Sequence, residues 1–288
     1  MSAAYPIGIA GRLLHKLAGA KLDWTGQRKP HTILRSGPVS PNGEYMGRVG
    51  WVLWALFIIA VPLFLVTGSV AWAFNNPGLY NDGFEKYSIS RISGITDGDL
   101  RQVGADIRGY INSGDEPLNV RTRIFGKEQD LFNDREIAHM RDVKRLVWGV
   151  YILALGSAVY LAAMAVIGFA RQRGRFVEPL AKRVIYGGGL TLALLVLFGI
   201  SALVDFESLF IKFHQLSFAN DFWQLDPRTD YLVRIFPDGF WVDATVWVAV
   251  RAITGAVVLT VAGSGYLVYR RYSGWQRAVG GLKGARET

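Results

Sequence analysis

Four stretches of this chain are long and apolar enough to cross a bilayer, and no other feature of its 288 residues restricts the possible folds so strongly. An α-helix rises 1.5 Å per residue and the hydrocarbon core is about 30 Å thick, so one span needs about 20 mostly apolar residues. Val52 to Phe74, Leu146 to Ala170, Val184 to Val204 and Ala244 to Tyr269 meet that requirement. The first carries no charge, exceeds the roughly 7 to 15 apolar residues of a signal peptide, and follows a polar segment, so a retained helix is expected. Hydrophobic residues make up 51% of the chain, a share that fits a lipid solvent better than an aqueous one.

Orientation follows from Lys and Arg, which short loops keep on the cytoplasmic side. Arg12, Lys16, Lys21, Arg28, Lys29, Arg35 and Arg48 precede the first stretch; Arg171, Arg173, Arg175, Lys182 and Arg183 lie between the second and third; Arg270, Arg271, Arg277, Lys283 and Arg286 follow the fourth. These regions alternate as an even number of spans requires. The predicted fold is therefore an all-α, multi-pass membrane protein with four transmembrane helices and both termini cytoplasmic. A small α(+β) extracytoplasmic cap lies between the first two. The expected layout is a basic cytoplasmic segment at 1–48, a span at 49–74, the cap at 75–145, a span at 146–170 and a cytoplasmic loop at 171–183. A third span at 184–204, an outer interfacial segment at 205–243, the last span at 244–269 and a tail at 270–288 complete it. Topology and an anionic inner leaflet account for most of the net charge of +9, leaving no need for a nucleic-acid partner. The absence of cysteine rules out disulfides, thiolate metal sites and thiol nucleophiles.

Within the amino-terminal segment, Ile7 to Leu22 reads as a short amphipathic piece before a Pro- and Gly-bearing linker. His15 and His31 lie there among basic residues and read as surface groups. The cap has its own start and stop signals. Thr96 and Asp99 form a capping-box-like pair, Leu100, Val103, Ile107 and Tyr110 repeat at helical spacing, and Gly114 is expected to end that helix. Val120 to Phe125 alternates as a short strand. Asn133 and Glu136 form a second capping pair, after which neither Pro nor Gly interrupts the chain until Gly149, so one helix should run from outside into the second span.

That helix carries the first chemical signal. Glu136, His139 and Asp142, spaced i, i+3, i+6, share a face, and His139 lies seven residues before the apolar run. The outer segment after Val204 supplies a counterpart in His214, set among Phe206, Phe210, Phe213, Phe218, Phe222 and Trp223, an aromatic pattern suited to the interface. Asp226 and Pro227 predict another short helix. Histidine titrates near neutral pH and is the commonest general acid or base, so two of them on one membrane face are candidate catalysts.

The blocks LFNDREIAHMRDVK at 131–144 and FHQLSFANDFWQLDPRTDYLVRIFP at 213–237 resemble the signature segments of the lipoprotein intramolecular transacylase family, and the similarity in layout covers about residues 50 to 270. The resemblance implies an enzyme, with bacterial lipoproteins as substrate and membrane lipids around it, that moves the sn-2 acyl chain of a diacylglyceryl-cysteine to that cysteine's own α-amine. It also implies a catalytic pair at His139 and His214. The basic extensions at both ends depart from the family and leave room for a membrane protein partner.

Two histidines can supply the base that the amine needs and the acid that the leaving oxygen needs; no cofactor is called for, and no serine sits in a nucleophile elbow. Glu136 or Asp142 is expected to orient the His139 ring. Ser217 or Asn220 could donate to an oxyanion, Asp221 is a further supporting acid, and Phe210, Phe213, Phe218, Phe222 and Trp223 could line an acyl groove. Arg251, about seven residues inside the fourth apolar run, is expected either to snorkel outward or, the favoured alternative, to pair with Asp205, Glu207 or Asp221. Gly187, Gly188 and Gly189 read as helix-packing glycines. A metal hydrolase would need Glu136, His139, His214 and Asp221 as ligands, without any HExxH motif to hold the ion, so no metal is expected. A non-enzymatic membrane subunit that uses the same fold to bind a partner is the alternative reading.

Overall fold

The computed structural model describes residues 41–284. The amphipathic piece at Ile7 to Leu22, the linker and both amino-terminal histidines therefore lie outside the described residues. The chain divides into two units, Met1–Arg48 and Val49–Thr288, and both candidate catalytic histidines belong to the second.

Nine α-helices and one hairpin make up the described residues. Helix α1 (Pro41–Asn75) contains the first apolar run. Helix α2 (Pro77–Lys86) starts where Asn76 accepts a hydrogen bond from the Gly78 amide and Pro77 fills the first position, which has no amide to satisfy. A single turn, α3 (Ile89–Ser93), leads to α4 (Asp97–Asn112), whose amino end is capped by the Thr96 hydroxyl accepting from the Asp99 amide. The stripe Leu100, Val103, Ile107 and Tyr110 is buried as the periodicity predicts, against Tyr80 and Phe84 of α2. Gly104 faces α2 at a point where a Cβ would stand 3.3 Å from the Phe84 ring. The helix stops at Ser113 in extended backbone, one residue before the glycine expected to end it.

The predicted strand is β1 (Arg121–Ile124), and it has an antiparallel partner the sequence pattern did not announce, β2 (Lys127–Asp130), with Arg121 opposite Asp130 and Ile124 opposite Lys127. All four β2 residues are exposed, so no alternation marks them. The turn between the strands places Phe125 and Gly126 at positive φ, the twist a two-residue hairpin favours.

Among the described residues, three helical segments are apolar and long enough to cross a membrane: Gly50–Asn75, Asp134–Val204 and Asp238–Gln276. The second is two helices, α5 (Asp134–Gln172) and α6 (Val177–Val204), joined through a 3-10 turn at Arg173–Phe176. Helix α7 (Phe206–Ser217), the turn α8 (Tyr231–Ile235) and α9 (Asp238–Gly284) complete the chain. Where Asp226 and Pro227 predicted a helix there is a turn instead, and α8 begins five residues later behind Asp230; Asp226 is drawn into an ion pair with Arg228.

Helices α6 and α9 meet along small residues. A Cβ on Gly188 would meet Thr260 and the Ala256 carbonyl, one on Gly187 would run into Val61 of α1, and Ala252 and Ala256 are fully buried. Gly189 faces open space and has no such role.

Candidate active site

The first candidate histidine is positioned by the start of α5. Asn133 and Glu136 form a full capping box: the Asn133 side chain accepts from the Arg135 and Glu136 amides, and Glu136 Oε2 accepts from the Asn133 amide at 2.8 Å. The first three turns of α5 are amphipathic, with Ile137, Met140 and Val143 turned to the core, and the continuous apolar run begins only at Leu146. His139 therefore stands outside that run, and it is 7% exposed.

The second histidine comes from α7, whose amino end is capped by Asp205 accepting from the Ser208 amide. His214 sits near its far end, 8% exposed, with Nδ1 2.8 Å from the Phe210 carbonyl oxygen. A carbonyl only accepts, so Nδ1 carries the proton and donates, leaving the Nε2 lone pair as the basic edge of the ring.

The two rings lie 6.0 Å apart between centroids, tilted by 33°. Aromatic side chains wall them in. Phe218 stands edge-on to His139 at 5.2 Å, while Phe210, Phe213 and Trp223 lie 4.3, 5.3 and 5.1 Å from His214. Of the five residues expected to form an acyl groove, four thus gather on the imidazoles. Phe222 is turned away, into an open recess it shares with Arg135, Ala138 and Asp221.

Burial sets the electrostatics. It pushes His139 down from 6.5 to about 4, helped by the neighbouring His214 and opposed by the Asp142 carboxylate. His214 is lowered as well, again by burial, against the opposing pull of its bond to the Phe210 carbonyl. Both rings are therefore neutral near neutral pH, and each disfavours a second proton on the other. Nδ1 of His139 is buried without a hydrogen-bond partner.

The supporting residues are placed differently from expectation. Glu136 makes no hydrogen bond to His139; 1% exposed, it spends Oε2 on the capping box and Oε1 on the Leu232 amide at 2.6 Å, tying α5 to α8. Desolvation raises its carboxyl above the ordinary range, and those amide donors pull it back. Asp142 is the acid that acts on His139 electrostatically, and its Oδ2 accepts from Asn220 Nδ2 at 2.8 Å. Asn220 thereby pins the 218–224 loop, which carries Phe218 and Trp223. Ser217 closes α7 and is half-buried. Asp221 is exposed and accepts through its backbone carbonyl from Arg135 at 2.7 Å. Among the described residues, Glu136, His139, His214 and Asp221 do not converge as a ligand set.

Arg251 pairs with none of the expected carboxylates: its guanidinium carbon lies 4.0 Å from the Trp72 ring centroid, while Asp205 caps α7 and the Asp221 side chain accepts from Gln224. Asp230 is a further residue of the site that the sequence does not mark. Buried at 7% exposure, it accepts from Asn133 Nδ2 and the Asp226 amide, and so holds the second signature block against the first. Its place after a Pro and two polar residues gave no hint of burial.

The chain is 30% identical over 136 residues to an uncharacterized protein of Aquifex aeolicus, a match that covers 46% of this chain and 56% of that one. Its fold is similar to the in meso structure of the membrane integral lipoprotein intramolecular transacylase Lit from Bacillus cereus, with TM-score 0.62 at 15% identity over 81% of this chain and 99% of that one. A form of the same protein with one histidine replaced by alanine matches with TM-score 0.64, again at 15% identity, covering 81% of this chain and 99% of the other. A family profile described as lipoprotein intramolecular transacylase Lit matches residues 55–241, which include both histidines and both signature blocks, and the chain belongs to that family.

Proposed function

We propose that this protein is a membrane acyltransferase that moves the sn-2 acyl chain of a diacylglyceryl-cysteine lipoprotein to the α-amine of the same cysteine, producing the lyso form. The observation that carries the reading is the pair of neutral, aromatic-walled imidazoles 6.0 Å apart on two different helices.

The proposed setting is the bacterial plasma membrane. Spans at 49–74, 146–170, 184–204 and 244–269 place residues 75–145 as a cap outside, and the basic ends inside. The break at Arg173–Phe176 supports two spans in the second apolar segment, since 71 residues of unbroken helix would measure about 105 Å, more than three hydrocarbon thicknesses. Both histidines then face the outer leaflet.

In the proposed reaction the α-amine nitrogen attacks the sn-2 ester carbonyl. A C–N bond forms, the C–O bond to glycerol breaks, one proton leaves the nitrogen and one reaches the glycerol oxygen. His214, with Nδ1 held by Phe210, presents Nε2 as the base. His139 holds or delivers the proton for the leaving oxygen, and the mutual repulsion of two imidazolium ions limits the pair, neutral at rest, to the single proton taken from the amine. Asp142 favours the protonated state of His139 when that state forms. Because donor and acceptor share one molecule, holding them in line can supply effective molarities of about 10⁵ M or more. The aromatic wall excludes water, which would otherwise compete as the nucleophile.

The test is mass spectrometry of lipoprotein amino-terminal peptides from cells with the wild-type protein, His139→Ala or His214→Ala. The expected wild-type product has one acyl group on nitrogen and one on glycerol, and each variant loses about 10² to 10⁴ in rate. Unchanged acylation in both folded variants refutes the reading.

A further inference from the structure

Arg251 is a cation deep in an apolar helix, with no anion beside it among the described residues. Its Cα lies seven residues beyond Ala244, about 10 Å along α9. The guanidinium nevertheless lies over Trp72, which is only three residues, or about 4.5 Å, from the end of α1 at Asn75. The side chain thus reaches back toward the membrane surface, to the depth of lipid glycerol and phosphate groups. Trp247 stands 6.2 Å from Trp72 and completes a small aromatic frame.

Stacking uses the face of the guanidinium and leaves its in-plane N–H groups free as a fork. That fork matches two oxygens of a phosphate, the anionic group found at this depth. A neutral ester oxygen would accept a hydrogen bond without cancelling the charge. We propose that Arg251, stacked on Trp72 and flanked by Trp247, binds the phosphate of a phospholipid at the seam between α1 and α9. The bound lipid fills the place of the missing carboxylate and ties together two helices that also pack through Leu65 and Gly255. This site does not depend on acyl transfer, and its test does not use it.

The full chain, purified in neutral detergent, is titrated with phosphatidylglycerol, with diacylglycerol as a probe that has the esters but no phosphate, and with inorganic phosphate as a probe without lipid. Native mass spectrometry reads retention and thermal unfolding reads protection. Phosphatidylglycerol is expected to be retained and to raise the unfolding midpoint, while the other two at equal concentration do neither. Arg251→Gln is expected to weaken retention at least tenfold with an unchanged midpoint in the absence of lipid. Arg251→Lys, which keeps the charge and loses the fork, falls between. Equal retention by wild type and both variants overturns the proposal. So does diacylglycerol held as tightly as phosphatidylglycerol, which would make the ester the ligand, or full protection by inorganic phosphate alone.

Discussion

On the role proposed for His139, replacing it by leucine is expected to abolish transfer, and also to stabilise the protein, because a buried ring with an unpartnered nitrogen is held at a cost in folding. Its Nδ1 is buried without a partner, and such an atom costs about 1–3 kcal/mol. Leucine of similar bulk removes that penalty, losing in return the edge-on contact with Phe218, worth about 0.5–1.5 kcal/mol. The net gain near neutral pH is about 1 kcal/mol, or a rise in midpoint of about 2–4 °C for a chain of this size. Acid widens the difference. The folded ring titrates at about 4 and the unfolded ring at 6.5, so between those values the unfolded state binds more protons. The wild-type contribution is complete above 6.5, falls as pH drops, and levels off near 4 after a loss of about 3 kcal/mol, at about 1.4 kcal/mol per pH unit. At about pH 5 the loss is about 2 kcal/mol. Thermal unfolding in detergent near pH 7.5 and pH 5, with peptide mass spectrometry for transfer, measures both effects. A leucine variant that melts below wild type at both pH values, or that still transfers, refutes the argument.

Other substitutions test the supports. Asn220→Ala removes the bonds to Asp142 and to the Phe222 amide, and is expected to lower kcat/KM about tenfold while costing only about 1–2 kcal/mol, as read by steady-state assay beside a melting curve. Glu136→Ala strands the Asn133 and Leu232 amides in the interior; a loss of about 3–5 kcal/mol is expected by denaturant or thermal unfolding. Gly188→Val would drive its side chain into Thr260 and the Ala256 carbonyl and is expected to cost about 1–3 kcal/mol or more, while Gly189→Ala, facing open space, should melt like wild type.

The features legible in the sequence are those written in short-range chemistry. Apolar run length, the Thr96 and Asn133 caps, and the stripe from Leu100 to Tyr110 each depend on residues within a few positions of one another, and the helix signals that marked α4 and α5 are of that kind. The signature blocks around His139 and His214 were also visible as sequence. Long-range contacts decided the rest. Glu136 read as an orienting acid because it shares a helix face with His139, yet the Leu232 amide, 96 residues away, takes its second oxygen. Arg251 called for an acid partner, and an indole from another helix lies against it. Strand β2 has no buried face to give it a pattern and exists through its register with β1. A local sequence specifies which elements form and which faces they must bury; which charge finds which partner, and whether two imidazoles meet, depends on how α5 and α7 approach in space.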